Sequence, residues 1–287
     1  MYLFKTVKNL QHYLFASKNR GESIGFVPTM GALHQGHISL LAFAQKHCSL
    51  TVCSIFVNPT QFNEKEDFDK YPRTTEADIA LLEANGCHVL FLPDVQEIYP
   101  HPDEPAPVFD FGYLDKPMEG AHRPGHFNGV AQVVNRLLQI VQPHHLFMGQ
   151  KDYQQYKIIE KMLHLTHSSV TLHMCPTLRE PSGLAMSSRN TRLNPKEREQ
   201  AAHIYHALLL VQQNMALLPP QQARMAALNY LEQHLPDARP EYLDIVNAHT
   251  LEPVQHWADA AQTVVCTAVR VGNVRLIDNL LLPGKTT

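Results

Sequence analysis

Residues 24–41 read Ile-Gly-Phe-Val-Pro-Thr-Met-Gly-Ala-Leu-His-Gln-Gly-His-Ile-Ser-Leu-Leu, which predicts a strand, a loop and a helix in succession. The apolar run from Ile24 to Val27 has the length of one buried strand, and Pro28 is expected to end it. A helix is predicted from Gly36 to Lys46, because apolar residues recur there at helical spacing. A strand that leads into a helix is the repeating unit of α/β folds, so this stretch predicts that fold class.

Two histidines lie where this helix is expected to begin. His34 and His37 are three residues apart and can point the same way if the first helical turn begins there. A helix N-terminus favours phosphate, and Gly36 leaves room for a flat base or a sugar. Two other interpretations compete. The histidines are unrelated members of a set of 18, or they bind zinc, although no His-Glu-x-x-His and no nearby cysteine pair accompany them.

The rest of the first half continues the alternation of strands and helices. A strand buried on both faces is predicted at Leu50 to Val57, and further strands are predicted at Val89 to Leu92, His145 to Met148 and Ser169 to Met174. This pattern predicts a Rossmann-like parallel α/β sheet with a nucleotide at the carboxyl ends of its strands. The last third reads as helices followed by a strand hairpin at Gly272-Asn273. We therefore place a first domain at 1–185 and a smaller α+β C-terminal domain at 186–287.

Composition limits the classes of function. Lys and Arg number 24 against 27 Asp and Glu, and the net charge of −3 gives no broad basic surface for nucleic acid. The five cysteines never form Cys-x-x-Cys, which favours free thiols in a reducing compartment. No long apolar run and no secretory layout occur, so we expect a soluble cytoplasmic protein without a membrane partner.

The paired histidines belong to a longer motif, Pro28-Thr-Met-Gly-Ala-Leu-His-Gln-Gly-His37. This motif closely resembles the His-x-Gly-His signature of the pantothenate synthetases, within the nucleotidyltransferase superfamily. The resemblance extends over essentially the whole chain and implies an ATP-dependent condensation of (R)-pantoate with β-alanine. In that reaction pantoate and ATP form a pantoyl adenylate with release of diphosphate, and β-alanine then displaces AMP to give pantothenate. The implied cofactor is Mg²⁺ with ATP, and the implied assembly is a homodimer.

The end of the strand predicted at Leu50 to Val57 carries the segment Val57-Asn-Pro-Thr-Gln-Phe62. Polar side chains there lie where α/β sheets bind ligands, although Asn58 could instead cap the loop. The segment resembles the pantoate-binding strand end of the family, which implies that Gln61 binds pantoate and β-alanine and that Gln155 binds pantoate. Asp78 matches a family carboxylate near the nucleotide, and a solvated helix carboxylate is the alternative.

Residues 93–126 hold seven prolines and little periodicity, which predicts a long loop. Its end, Arg123-Pro-Gly-His126, leads into a strongly amphipathic helix. Anions are favoured at a helix N-terminus, and the family has the same Arg-Pro-x-His pattern there. The resemblance implies that Arg123 and His126 face the active site.

Lys151 lies in the segment Gly149-Gln-Lys-Asp-Tyr-Gln-Gln155, where a helix is predicted to open. Beside a glycine in the first turn it can reach an anion, and an ordinary surface lysine is the alternative. The family reads Gly-Glu-Lys-Asp-x-Gln-Gln here, so this chain has Gln150 in a glutamate position and one negative charge fewer.

Residues 176–190 read Pro-Thr-Leu-Arg-Glu-Pro-Ser-Gly-Leu-Ala-Met-Ser-Ser-Arg-Asn, a composition typical of a mobile loop that grips phosphate. Arg179 and Arg189 are expected to need an anion partner there. Met186-Ser-Ser-Arg189 resembles the second superfamily signature, which holds the triphosphate. The resemblance implies catalytic roles for His34, His37 and Lys151. It implies ATP binding by Met30, Gly31, Ala32, Leu33, His34, Gln35, Gly36, His37, Gly149, Gln150, Lys151, Asp152, Leu178, Met186, Ser187, Ser188 and Arg189.

Two other functions stay open at this point. An adenylyltransferase for a phosphorylated cofactor precursor shares the histidine and serine signatures, but it would lack the segments at 58–61 and 149–152. A non-catalytic nucleotide-binding protein would keep the fold without the reaction, and the intact signature residues argue against it. Pantoate-dependent exchange of pyrophosphate into ATP, measured without β-alanine, is the observation that best distinguishes these three functions.

Overall fold

A computed structural model describes residues 1–61, 68–69, 71–101 and 106–284 of the 287-residue chain. Phe62 and residues 102–105 of the predicted long loop lie outside the described residues. The chain divides into two compact units, which are described one at a time. Unit 1 comprises Met1–Phe111, Arg123–Gly149 and Gln155–Pro176, and unit 2 comprises Gly112–His122, Gln150–Gln154 and Thr177–Thr287.

The helices and strands alternate through the first half of the chain. The strands are β1 (Tyr2–Phe4), β2 (Ile24–Thr29), β3 (Leu50–Ile55), β4 (Val89–Phe91), β5 (His145–Gly149), β6 (Thr171–Cys175), β7 (Arg239–Asn247), β8 (Thr263–Val271) and β9 (Val274–Leu281). The described helices are α1 (Val7–Asn19), α2 (Gln35–His47), α3 (Thr75–Ala84), α4 (Val95–Ile98), α5 (Glu119–His122), α6 (His126–Val141), α7 (Tyr153–Leu165), α8 (Pro195–Ala201), α9 (His203–Asn214) and α10 (Pro220–His234).

Unit 1 is built on a parallel sheet. Among the described residues its six strands lie in the order β1-β4-β3-β2-β5-β6, and each neighbouring pair is parallel. The predicted parallel α/β architecture of the first half is therefore confirmed. The sequence pattern missed β1, because an edge strand of three residues is too short to show a period.

The strand β2 continues past the proline that was expected to end it. Pro28 lies opposite Ser54 in the ladder with β3, and the strand runs on to Thr29. Thr29 O accepts from Phe56 N on the β3 side at 3.0 Å. Successive residues direct their backbone groups to opposite sides of a strand, so the nitrogen of Pro28 faces β5. Within the described residues the ladder with β5 involves Gly25 and Phe26 of β2, so it does not need an N–H at residue 28.

All five cysteines are buried and free, as the sequence predicts. Cys48, Cys53, Cys87 and Cys175 belong to the apolar core of unit 1, and Cys266 lies in β8 of unit 2. Burial raises the pKa of the Cys48 and Cys87 thiols to about 11 and that of Cys175 to about 12. These thiols are therefore protonated at neutral pH.

Unit 2 contains an antiparallel sheet of β7, β8 and β9 in that order. The predicted hairpin turn joins β8 to β9, and Gly272 there has a φ of +54°. The helices α8 and α9 are separated at Ala202, whose N–H makes a 3₁₀-type bond to Glu199 O at 3.2 Å. No helix in the described ranges combines the length and the apolar character that a bilayer crossing requires.

Candidate active site

The two motif histidines form the start of α2. His34 is the N-cap residue, and its Nδ1 accepts a hydrogen bond from Gly36 N at 3.1 Å. The Nδ1 of His37 accepts from His34 N at 3.2 Å, and the two ring centroids lie 4.1 Å apart. The pair thus forms a reciprocal capping box with histidine in both positions, and both imidazoles lie at one helix N-terminus.

The capping bonds also decide which ring nitrogen carries the hydrogen. A nitrogen that accepts a backbone N–H has no hydrogen of its own, so each neutral ring carries its hydrogen on Nε2. The N-terminus of α2 adds partial positive charge from its own N–H groups. The histidine pair of His34 and His37 therefore offers hydrogen-bond donors, which suit a phosphate.

Asp78 holds the loop that joins β2 to α2. It lies on α3, is 2% exposed, and its carboxylate accepts from Ala32 N at 2.9 Å and from Leu33 N at 2.8 Å. Thr74 Oγ1 donates a third hydrogen bond at 3.1 Å. The alternative of a solvated helix carboxylate is therefore wrong, because Asp78 is buried and fixes the backbone of two residues in the predicted ATP segment.

The same loop requires a glycine at position 31. Gly31 has a φ of +82°, and a Cβ on it would lie 3.1 Å from both Asp78 Oδ2 and Ile55 Cγ2. Ala32 follows with a φ of +48°, a conformation that its bond to Asp78 stabilises. The loop before the histidines is thus held in one conformation by contacts within unit 1.

The order of the strands places this loop at the switch point of the sheet. From β2 the chain proceeds through β3 to β4 on one side, and β5 and β6 lie on the other side. In open α/β sheets ligands bind outside the carboxyl ends of the strands at such a reversal. The loop Met30 to His34 follows β2, and Gly149 ends β5, so both predicted nucleotide segments leave the sheet at this point.

Gln61 lies at the end of the 3₁₀ turn Pro59–Gln61, which follows β3. Its side chain is 9% exposed and donates to Met30 Sδ at 2.6 Å. Gly129 of α6 allows the close packing, because a Cβ there would lie 2.6 Å from Thr60 O. Unit 1 therefore brings the predicted pantoate residue into contact with the predicted ATP segment.

Asn58 is buried, and its amide serves the fold. Its Nδ2 donates to Thr60 Oγ1 at 3.0 Å and to Gly129 O at 3.3 Å, while its Oδ1 accepts from Tyr99 OH at 3.1 Å. These bonds favour the loop-capping interpretation of Asn58. Gln155, the second predicted pantoate residue, is half-buried in the first turn of α7.

His126 is the first residue of α6, and Gly125 caps that helix with a φ of +81°. The buried His126 contacts Gln61 O through Nδ1 at 2.9 Å and Arg123 Nη1 through Nε2 at 3.0 Å. It therefore links the start of α6 to the turn that carries Gln61.

In unit 2, Lys151 lies in the 3₁₀ turn Gln150–Asp152, immediately before α7. Its side chain is 17% exposed, and Nζ lies 3.9 Å from Asp152 Oδ1. Most of the side chain is therefore covered, which argues against an ordinary surface lysine, and the role of Lys151 at the nucleotide stays a prediction. The predicted helix opens one turn later than expected, at Tyr153.

Residues 178–186 form a hydrogen-bonded hairpin. Glu180 N donates to Leu184 O at 2.8 Å, and Met186 N donates to Leu178 O at 3.0 Å. Leu178 and Met186, two of the predicted ATP residues, are thus neighbours across the hairpin, and Leu178 is exposed.

Arg179 does not need a ligand as its anion partner, contrary to the sequence-based expectation. Its guanidinium donates two hydrogen bonds to the buried carboxylate of Asp278 and lies 3.6 Å from the ring centroid of Tyr205. It also donates to Gly183 O at 3.1 Å. Its charge is therefore neutralised within unit 2, where it fastens the hairpin to β9.

The serine-rich motif opens a short 3₁₀ helix, Ser188–Arg192. Ser187 caps it by accepting from Arg189 N at 3.2 Å. Asn190 fastens it to the hairpin by donating to Glu180 Oε1 at 2.9 Å and to Ala185 O at 3.0 Å. Unit 2 thus brings the motif and the hairpin together.

A buried polar network that the sequence did not predict holds 112–122 in unit 2. Glu119 is buried and accepts two hydrogen bonds from Arg275 at 2.7 and 2.8 Å and one from Tyr242 OH at 2.8 Å. Its own N–H donates to Gln154 Oε1 at 3.0 Å. Burial and then the charge of Glu119 raise the pKa of Tyr242 well above its usual value. The only sequence signal is a glutamate followed by an amphipathic helix, which does not identify its partner.

The pattern of the family described as Pantoate-beta-alanine ligase matches residues 2–281. A pantothenate synthetase of Porphyromonas gingivalis is 46% identical over 283 residues, which cover 98% of this chain and 99% of that protein. One of Cytophaga hutchinsonii is 46% identical over 279 residues, covering 96% and 98%.

Two solved structures agree with the sequence comparison. Pantothenate synthetase from Thermus thermophilus has a TM-score of 0.92 at 40% identity, covering 99% of this chain and 100% of that one. A pantoate-beta-alanine ligase from Francisella tularensis, complexed with beta-gamma ATP and beta-alanine, has a TM-score of 0.80 at 35% identity, covering 98% and 97%. The chain therefore belongs to the pantoate–β-alanine ligase family.

Proposed function

We propose that this chain condenses (R)-pantoate with β-alanine through a pantoyl adenylate, with ATP converted to AMP and diphosphate. The observation that carries the proposal is the histidine capping box, in which both Nδ1 atoms accept backbone N–H groups. That geometry makes His34 and His37 donors at a helix N-terminus, at the switch point of a parallel sheet. Family membership supplies the reaction class.

The adenylation step needs charge stabilisation rather than a base. The carboxylate of pantoate is ionised at neutral pH, so it is already the nucleophile that attacks the α-phosphorus. The attack places negative charge on the non-bridging oxygens and on the departing diphosphate. We assign His34 and His37 as donors to these oxygens, and Lys151 as the cation that stabilises the same charge. Ser187, Ser188 and Arg189 are proposed to bind the triphosphate, with the other ATP residues predicted from the sequence completing that site.

Pantoate and β-alanine are assigned to the amide side chains of unit 1. A glutamine amide both donates and accepts, which suits hydroxyl and carboxylate groups on one small acid. We propose that Gln61 binds pantoate and β-alanine and that Gln155 binds pantoate. The contact of Gln61 with Met30 supports a pantoate carboxylate held next to the nucleotide segment.

The proposed cofactor is Mg²⁺ carried by ATP. The described residues contain no group of three or more His, Cys, Asp and Glu side chains arranged to hold a metal ion. An ion whose main ligands are substrate phosphates and water, as is usual for Mg²⁺, does not require such a group. When bound, Mg²⁺ neutralises phosphate charge. We also propose a cytoplasmic homodimer without nucleic-acid or membrane partners.

The test is isotope exchange of pyrophosphate into ATP. Exchange that requires pantoate and proceeds without β-alanine is expected, because adenylation is reversible until the amine attacks. It should stop with a chelator and return with Mg²⁺. Exchange driven by a phosphorylated cofactor precursor would instead identify an adenylyltransferase. Absence of exchange with every acid, in protein that binds ATP, would identify a non-catalytic nucleotide-binding protein.

A further inference from the structure

The turn that carries Lys151 is held by one buried amide of β9. Asn279 is 2% exposed, and its Nδ2 donates to Gln150 O at 2.9 Å and to Lys151 O at 2.8 Å. Its Oδ1 accepts from Gln150 Nε2 at 3.3 Å. Three hydrogen bonds therefore join a single side chain to two consecutive residues of the turn.

These bonds leave the amide one orientation. Two carbonyl oxygens face one end of the Asn279 side chain, so that end must be the NH₂ group, and both of its hydrogens are used. The oxygen end then faces Gln150. A flipped amide would place an acceptor against two acceptors in a buried site, at the cost of both carbonyl hydrogen bonds.

The turn is attached to its surroundings on both sides of Lys151. Tyr153 OH donates to Ala248 O at 2.7 Å, and Gln154 Nε2 donates to Leu114 O at 2.8 Å and to Pro117 O at 2.9 Å. Those bonds fix the residues that follow Lys151. Asn279 donates to the carbonyl of Lys151 itself and to the carbonyl of Gln150 before it. It therefore fixes the backbone position from which the Lys151 side chain extends.

We propose that Asn279 is a positioning residue for the adenylation reaction, which holds the Gln150–Lys151 backbone so that the Lys151 ammonium meets the phosphates. The inference rests on the role of Lys151 in the proposed function. Asn279 touches no substrate in this role. Its effect is expected on the rate of adenylation, because a catalytic group misplaced by about 1 Å loses up to about a hundredfold in rate.

The geometry also makes the Gln150 side chain a partner of Asn279. The Nε2 of Gln150 is a donor aimed at Asn279 Oδ1. A carboxylate at position 150 would face that oxygen as a second acceptor, and the amide cannot turn to meet it without giving up its two carbonyl bonds. Gln150 and Asn279 are thus a matched donor and acceptor, and Gln150→Glu is expected to slow adenylation in this chain.

A double-mutant cycle separates positioning from mere stability. Pyrophosphate exchange is measured for wild type, Asn279→Ala, Lys151→Ala and the double variant, with saturation curves for ATP and pantoate. Asn279→Ala is expected to lower kcat by about tenfold to a hundredfold, with the KM for pantoate changed less than about twofold. In the Lys151→Ala background the same substitution should lower kcat by less than about threefold, because the group that it positions is gone.

Two further variants guard against a folding defect. Asn279→Thr suits a strand and offers a hydroxyl donor, but its side chain is too short to reach both carbonyls. It replaces the alanine variant if that variant does not fold. Gln150→Glu leaves the strand unchanged and should lower kcat in the same direction. Asn214→Ala is the matched control, since Asn214 in unit 2 also donates to a backbone carbonyl, Leu210 O, at 2.8 Å. It should change kcat by less than about twofold.

The outcomes distinguish this inference from the proposed function. If Lys151→Ala slows adenylation but folded Asn279 variants keep the wild-type rate, the positioning role of Asn279 is overturned and the role of Lys151 is not. Equal losses from Asn279→Ala with and without Lys151 also overturn it, because they show a structural effect. A wild-type rate in Lys151→Ala overturns the assigned role of Lys151 and this inference with it.

Discussion

Arg179 donates two parallel hydrogen bonds to Asp278, from Nη1 to Oδ2 at 2.6 Å and from Nη2 to Oδ1 at 3.0 Å. The carboxylate is buried, and the guanidinium is mostly covered. Two-point pairing of this kind has strict geometry and is among the stronger hydrogen-bonded contacts in proteins. It joins the hairpin at 178–186, which carries two of the predicted ATP residues, to β9.

Arg179→Met is therefore expected to destabilise the protein by about 3–5 kcal/mol, because it leaves the Asp278 carboxylate buried without its partner. Urea unfolding measures the change. Arg198→Ala is the matched control, since Arg198 pairs with Glu180 on the same hairpin but is about half exposed, and its loss should cost less than about 1 kcal/mol. Equal losses in the two variants would contradict the assignment of the buried pair as the anchor.

Asp78→Asn is expected to raise the KM for ATP about tenfold and to lower the rate of adenylation. An asparagine can accept from only one of Ala32 N and Leu33 N, and its NH₂ group opposes the other, so the loop before the histidines loses its conformation. Glu76→Gln, on an exposed position of the same helix, is the control. Wild-type kinetics in folded Asp78→Asn would show that the loop keeps its shape without the carboxylate.

Two substitutions at His37 separate capping from catalysis. His37→Ala removes both functions, whereas His37→Asn keeps an oxygen close to the place of Nδ1 and retains the bond from His34 N. Adenylation should fall in both by about tenfold to a thousandfold, the scale for one transition-state donor. The thermal midpoint should fall only in the alanine variant. A normal exchange rate in folded His37→Asn would show that His37 has no role in the mechanism. The control is His47→Asn, at the other end of α2.

Gln61→Ala is expected to raise the KM for pantoate far more than that for ATP, because the side chain is assigned to pantoate and β-alanine and not to the nucleotide. Steady-state kinetics with each substrate varied in turn measures the two values. Met30→Leu tests the contact with Gln61 independently, since it removes the sulfur acceptor but keeps the volume. Equal increases for both substrates in Gln61→Ala would show a structural role.

Stability should fall with acid through a histidine pair on β5 and β6. His145 Nδ1 lies 3.0 Å from His173 Nε2, and burial followed by neighbouring histidines, among them His47, lowers the pKa of both. The unfolded chain then binds more protons, so the stabilisation is present above about pH 6.5 and is lost as the pH falls. His173→Phe keeps the stack on Phe147 and should show a smaller drop in urea midpoint between pH 8 and pH 5.

The control for this measurement is His12→Gln, at an exposed position of α1. It should leave the difference between the two midpoints as in wild type. If His173→Phe also leaves that difference unchanged, the pair does not account for the loss of stability in acid.

The features that could be predicted from the sequence are those whose partners are close along the chain. The capping box joins residues two and three positions apart, so the motif itself contains both members. The buried strands of unit 1 are continuous apolar runs, and the hairpin between β8 and β9 has its turn signal between its strands. The predicted domain boundary between residues 185 and 186 stays a prediction. The two compact units are defined by spatial contacts, and each contains several separate segments of the chain.

The features that could not be predicted join residues far apart in sequence. Asn279 is 128 positions from Lys151, and Asp278 is 99 positions from Arg179. Each is a polar residue in a strand, and periodicity shows only that it belongs to the strand. Which segment it contacts is decided by the packing of β9 in unit 2. The anion partner of Arg179 could not be predicted for the same reason, since it lies in the strand and not in a ligand.

Because every thiol is buried, the rate at which each cysteine is alkylated reports how often the structure around it opens. An alkylating reagent must wait for each cysteine to be exposed, because buried and protonated thiols react poorly. Cys266 alone reports on unit 2, whereas Cys48, Cys53, Cys87 and Cys175 report on unit 1. Mass spectrometry of a labelling time course therefore resolves which unit opens first, and whether ATP delays one of them more than the other, without any introduced probe.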